Sequence, residues 1–241
     1  VLELIAQGLS VYFSTRKGGV SSPPYDSLNL GLGTGDREAS VRRNRRLLLE
    51  AAGVSARRLA RAEQVHGSSI AIVSRGGIQR NVDGLITDKR GLTLVISTAD
   101  CYPVIIYSPS ERVLAALHVG RAGAAGGIIP RALDMLATEF RMHARNTIAV
   151  IGPGICRKCY AVWKRSASRF PAEYMHERNG KRYLDLRSFC IDSLVRGGLR
   201  KANIYHSGYC TSCEPEYFYS HRRDHAITGR HWTIAAMHDP R

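Results

Sequence analysis

Acidic residues are scarce in this chain. Twenty Asp and Glu stand against thirty-five Lys and Arg in 241 residues, a formal charge of +15. Such a balance suits an anionic partner such as nucleic acid or phosphate esters, or reflects high arginine usage alone. Aromatic residues are also few, at 7%, and no stacking motif of the RNA-binding kind is present. The basic residues form only short clusters, Arg42-Arg43, Arg45-Arg46 and Arg57-Arg58, so nucleic acid is not the expected partner. No apolar run approaches the ~20 residues that span a bilayer, which excludes a membrane helix. Val1–Ile5 lacks the basic and long apolar regions of an export signal, so a cytoplasmic location is expected. Neither the P-loop nor the dinucleotide fingerprint is matched. With no internal repeat or low-complexity linker, one domain over residues 1–241 is the simpler expectation.

What remains is ordinary globular composition, 44% hydrophobic and 23% charged, with enough length for a substantial core. Six cysteines without an export signal argue for thiols or metal ligands before structural disulfides. Ser97–His118 organises the rest. A small-polar turn, Ser97–Asp100, places Cys101 at the mouth of the apolar run Pro103–Tyr107. A Ser/Pro-rich turn then leads to Val113–Leu117, ending at His118. Paired antiparallel, the two runs bring Cys101 and His118 to one sheet edge, as a metal site or a nucleophile–base pair.

Strands are predicted at Val11–Thr15, Ser69–Val73, Val82–Asp88 and Thr147–Ile151. Gly91–Ser97, almost continuously apolar, is predicted to be central. Asp36 suits the N-cap of a helix reaching Ala52, with Gly53 as terminator. Asn44 shares a face with Val41 and Leu48 there, either as a structural hydrogen-bonding residue or as a substrate contact. A helix containing Pro130, Leu133, Leu136 and Phe140 follows the Gly-rich Gly120–Gly127 loop. Further helices are predicted around Arg165–His176 and after Asp185, and strands at Tyr217–Ser220 and His231–Ala236. The loop from Arg16 to Ser21 sets backbone N–H groups beside two cations and can hold an anion or simply turn the chain. Cys156-x-x-Cys159 and Cys210-x-x-Cys213, about fifty residues apart, formally match a four-thiolate zinc site. Buried small residues or opposed thiols are the alternatives.

Several motifs together resemble the YfiH-like family, also described as laccase-domain or multicopper polyphenol oxidase proteins and linked to purine nucleoside phosphorylase activity. They are Thr15–Gly31, Gly35-Asp36 with Asn44-Arg45, Gln64–Gly67 (QVHG), Thr98–Val104 (TADCYPV), Gly152–Ile155, Cys159-Tyr160, Cys210-Thr211 and Phe218–Arg230. The resemblance implies an α+β, single-domain layered fold with mixed β-sheets flanked by helices. It also implies a catalytic zinc (copper is the other candidate) held by His66, Cys101 and His118, with a fourth position open. The family's usual His-Ala-Gly-Trp-Arg-Gly reads His-Val-Gly-Arg-Ala-Gly here, placing Arg121 and Ala122 at the tryptophan and arginine positions. Ala161 replaces an acidic residue.

The implied activity is phosphorolysis of adenosine, inosine or methylthioadenosine to base and (methylthio)ribose 1-phosphate, together with adenosine deamination. Asn44, Arg16 and Arg222 are the candidates for holding substrate or phosphate. The alternatives are a Cys101-based thiol hydrolase or amidase, including cell-wall precursor editing, and a copper-dependent polyphenol oxidase. Small-molecule nucleosides and phosphate are the expected partners.

Overall fold

The protein is described by a computed structural model covering residues 2–6 and 8–238. Two six-stranded mixed sheets lie face to face. The first has the spatial order β1 (Leu2–Ala6), β2 (Leu9–Phe13), β15 (His231–Met237), β7 (Thr93–Thr98), β3 (Leu59–Glu63), β5 (Gly77–Arg80). The second runs β14 (Ile204–His206), β10 (Ile148–Ile151), β8 (Tyr102–Ser108), β9 (Val113–Val119), β6 (Gly84–Thr87), β4 (Ile70–Ile72). A small third sheet is built from β11 (Ala161–Val162), β13 (Lys181–Leu184) and β12 (Met175–Arg178). The helices are α1 (Glu38–Ala51), α2 (Arg121–Ala125), α3 (Ile128–Phe140), α4 (Lys164–Ala167) and α5 (Leu186–Arg196).

The burial pattern explains the layering. In β8 and β9 every residue is buried, because both faces of the second sheet are covered. One face interdigitates with the first sheet through Ile105, Leu114 and Ala116 against Val11, Leu94 and Ile96. The other carries Val104, Ala115 and Leu117 against Ile129, Leu133 and Leu136 of α3 and Leu194 of α5. On the outer face of the first sheet, Leu48 and Leu49 of α1 cover Val95, Trp232 and Ile234. The order is therefore helix, sheet, sheet, helices. Continuous apolar strands are what such doubly covered sheets require, and β7 is interior as its composition predicts.

Three local expectations are corrected. The Arg165–His176 helix is absent: α4 is a single turn, and β12 and β13 form a hairpin in its place. Pro171 denies the helix a donor. Asn179-Gly180, with φ of +50° and +67°, makes the two-residue turn whose twist suits a hairpin. Tyr217–Ser220 is irregular rather than a strand. Phe218, Tyr219 and Ser220 are all buried, and the Tyr219 N–H donates to His231 Nε2 instead of to a ladder. Asp36 does not cap α1. Its carboxylate accepts from Ser21 Oγ at 2.6 Å and Asn29 Nδ2 at 2.9 Å, and Arg37 takes the N-cap position.

Candidate active site

The site lies at the rim of the sandwich, where the chain twice crosses from one sheet to the other. The β3–β4 crossing carries His66 and the β7–β8 crossing carries Cys101, while His118 stands near the end of β9. Antiparallel register sets Tyr102 opposite Val119 and Pro103 opposite His118, so Cys101 comes level with Gly120. A β-carbon at Gly120 would lie 2.9 Å from Cys101 Sγ and 3.5 Å from the His66 ring. The missing side chain is what leaves room for the thiol. The ligand atoms of His66, Cys101 and His118 all lie within 4.8 Å of one another, and the two imidazoles meet edge to face at 84°.

One residue that sequence reasoning missed organises this cluster. Asp83, fully buried just ahead of β6, accepts from the backbone N–H of Val65, His66 and Gly67 at 3.3, 3.0 and 2.6 Å. Three successive amides turned toward one carboxylate form an anion-holding nest, which stabilises His66 in the left-handed region at φ +59°. The same carboxylate lies 2.7 Å from His118 Nδ1, and the Asp83 carbonyl accepts the His118 N–H at 2.7 Å. A carboxylate behind Nδ1 fixes the tautomer that leaves Nε2 free as a ligand. The available signal was an acidic residue inside the apolar run Val82–Ile86. Gln64 completes the scaffold by exchanging two hydrogen bonds with the Ser97 backbone, at 2.8 and 2.7 Å, which ties the two crossings together.

Burial alone would raise the Cys101 thiol, but the neighbouring His118 and His66 outweigh it and bring its pKa down to about 6. Burial likewise opposes charge on His118, yet the Cys101 thiolate and Asp83 raise it to about 9. Burial also disfavours the Asp83 carboxylate, and its bonds to His118, Gly67 and Val65 still pull it below the ordinary Asp value. The cluster therefore offers a thiolate near neutral pH.

A cleft of about 770 Å³ opens over these residues, and five arginines line it: Arg45, Arg61, Arg121, Arg222 and Arg230. Burial and then repulsion from Arg61 and Arg42 lower the Arg45 pKa to about 10. Cations crowded in this way favour an anion between them. Arg222 stacks on Tyr160, 5.2 Å from its ring centroid, and donates its backbone N–H to Asp100 at 2.7 Å. Arg121, the residue at the altered family position, lines the cleft and donates to Ser166 Oγ.

Of the three residues expected to hold substrate or phosphate, Arg222 lines the cleft and the other two do not. Asn44 is fully buried. Its amide accepts from Val20 N–H at 2.8 Å and donates to Ser21 Oγ, Ser27 O and Asn29 O at 2.9, 3.0 and 2.9 Å. It thus takes the structural alternative, holding the segment that leads to Gly31 and Leu32 in the cleft wall. Arg16 spends its guanidinium on Asp26 and the Pro215 carbonyl and stacks on Tyr219.

Two imidazoles and a thiolate suit zinc or copper, and the glycine cradle at residue 120 leaves the donors unobstructed. Three protein ligands beside an open cleft are the arrangement of a reactive centre rather than a closed structural one. The residues fit the metal.

A family model described as multi-copper polyphenol oxidoreductase laccase matches residues 10–238. The chain is 35% identical over 235 residues to purine nucleoside phosphorylase YlmD of Geobacillus stearothermophilus, covering 90% of this chain and 86% of that one. It is 36% identical over 233 residues to a purine nucleoside phosphorylase of Deinococcus radiodurans, covering 93% and 88%. Among solved structures, YlmD from Geobacillus stearothermophilus aligns with a TM-score of 0.92 at 34% identity, over 96% of this chain and 93% of that one. The Bacillus licheniformis hypothetical protein YfiH aligns at 0.91 and 31%, over 95% and 92%.

Proposed function

Because the chain belongs to the multi-copper polyphenol oxidoreductase laccase family, and relatives of similar length are named purine nucleoside phosphorylase, we propose that it cleaves purine nucleosides with phosphate. Adenosine, inosine and methylthioadenosine are the proposed substrates. The observation that carries this reading is that five arginines line the same cleft as the His66–Cys101–His118 cluster.

In the reaction the C1′–N9 bond breaks, a C1′–O bond to phosphate forms, and the glycosidic electron pair leaves with the purine, which takes up a proton. The transition state resembles an oxocarbenium ion and favours an anion held against the sugar. Arginines hold a phosphate through forked donors, and Arg222 and Arg230 line the cleft together with Asp100 and Cys101. Burial and the Cys101 charge push the Tyr160 hydroxyl up to about 12, so it stays a neutral hydrogen-bond donor. Burial and Arg230 lower the His221 pKa, giving a neutral imidazole that can pair with a purine edge. His66, Cys101 and His118 would hold a zinc ion, which supplies a Lewis acid to neutralise charge on an oxygen anion.

Adenosine deamination is proposed as a second activity of the same cleft: water adds at C6 of the purine, the C6–N bond breaks, and the amino group leaves as ammonia with the protons taken from water, giving inosine. A thiol-hydrolase reading draws on the Cys101 pKa of about 6 and predicts activity that survives chelation, whereas the metal reading predicts its loss. For multi-copper oxidation the donors are too few. Among the described residues only two groups could hold a metal, and histidines enter just one of them.

Product analysis on a nucleoside panel, with and without phosphate, before and after chelation, tests the assignment. Phosphate-dependent release of free base that disappears in Cys101→Ala is the expected result. Base release that ignores phosphate, or survives chelation, would overturn it.

A further inference from the structure

We propose that Cys156, Cys159, Cys210 and Cys213 form a second, structural zinc site that clamps the wall of the cleft. The two Cys-x-x-Cys turns are distant in sequence, yet all four sulfurs lie within 4.8 Å of one another. Each pair sits on a tight turn. The N–H groups of Cys159 and Tyr160 bond the Cys156 carbonyl, and the Glu214 N–H bonds the Cys210 carbonyl. A parallel bridge between Gly154 and Cys210 aligns the turns.

The spacing is that of a coordination shell rather than a covalent bond. Cys159 Sγ is 3.4 Å and Cys156 Sγ is 3.9 Å from Cys213 Sγ. A disulfide needs about 2.0 Å. A tetrahedral zinc with Zn–S bonds of about 2.3 Å sets its sulfurs about 3.8 Å apart. The Cys156 backbone N–H also points at Cys210 Sγ, 3.2 Å away, and a hydrogen bond of that kind stabilises a thiolate. The surroundings match the charge of the product: four thiolates on one divalent ion carry two net negative charges. Arg157 and Lys158 lie between the first two cysteines, and Arg178 donates to the Lys158 carbonyl. Binding displaces the thiol protons to solvent and changes no oxidation state.

Beside Cys159 in sequence is Tyr160, which lines the cleft. Beside Cys210 is Thr211, whose hydroxyl donates to Asp100 Oδ1 at 2.6 Å, immediately before Cys101. One ion would therefore fasten two cleft-forming segments, 54 residues apart at Cys156 and Cys210. This site is independent of which reaction the cleft performs.

The test is zinc content and cobalt substitution on the untagged full chain, prepared under reducing conditions. Since His66→Ala/Cys101→Ala removes the cleft donors, one zinc per chain should remain there, and cobalt should show the intense charge-transfer bands of a tetrathiolate. Adding Cys213→Ser should lose those bands and most of that zinc. Wild type should carry two equivalents. Absence of zinc from the His66→Ala/Cys101→Ala protein would overturn the proposal. So would a freshly purified wild type whose mass shows two hydrogens lost and whose peptide map shows Cys159 joined to Cys213. Because the decisive measurement leaves all four cysteines intact, misfolding of a cysteine variant cannot mask the answer.

Discussion

Replacing Asp83 with Asn keeps shape and removes charge, and both orientations of the new amide conflict with the site. With the amide oxygen facing Gly67 and Val65, the NH₂ group meets the His66 N–H and His118 Nδ1, where the carboxylate accepted at 3.0 and 2.7 Å. His118 must then accept at Nδ1 and carry its proton on Nε2, which abolishes the lone pair a metal needs. Flipped, the NH₂ opposes the Gly67 N–H, at 2.6 Å the shortest of the three amide contacts. Each charge-assisted bond contributes about 1.5–3 kcal/mol. Losing one or two, with partial relaxation, destabilises the metal-free protein by about 2–4 kcal/mol. Metal affinity should fall by about 10–100-fold, the usual cost of removing the carboxylate behind a ligating histidine.

The pH dependence has a definite sign. The folded Asp83 carboxyl titrates below its ordinary value of 3.8, so its contribution is present above that value. It is lost as pH falls through the lowered pKa. The stability gap between wild type and variant is therefore widest between about pH 3.8 and 6.5; it narrows below as Asp83 protonates, and above as His118, which Asp83 helps hold protonated, loses its proton toward about 9. Urea denaturation of the chelated proteins and competitive zinc titration supply the two numbers. A variant with unchanged zinc affinity would refute the role assigned to Asp83.

Gly120→Ala sets a methyl group 2.9 Å from Cys101 Sγ at φ −86°, which alanine tolerates. Zinc content and activity should drop while circular dichroism stays native, and full zinc occupancy would show the cradle to be roomier than the distance implies. Asn44→Ala takes the partner from the Val20 N–H and the buried Asn29 carbonyl, while the Ser27 carbonyl keeps the Ser21 N–H, and should cost about 2–4 kcal/mol; a raised KM with an unchanged melting temperature would instead return Asn44 to the role of substrate contact. In chelated protein, alkylation of Cys101 should persist at neutral pH and decline as pH falls through about 6. Peptide mapping distinguishes Cys101 from the other thiols, and a midpoint near the ordinary thiol value of 9.0 would contradict the imidazole pairing.

Local pattern alone determined a good deal. The apolar runs on either side of Ser108–Arg112 specify the β8–β9 hairpin, because no helix period fits them and the turn is short. Antiparallel pairing then forces Cys101 and His118 to one edge. The family motifs added His66, which spacing could not place. Tertiary structure decided the rest, because the decisive contacts join residues that are remote in sequence. Asp83 meets both the His66 turn and the β9 histidine only once β6 pairs with β9. Asn44 and Arg16 looked available as polar residues near family motifs, until packing consumed their donors on loop carbonyls and Asp26. The cleft arginines are gathered from α1, β3, the start of α2 and the segment leading into β15. Composition announced the positive charge, and only the sandwich of two covered sheets, with its crossings at one rim, gathered part of it around a thiolate.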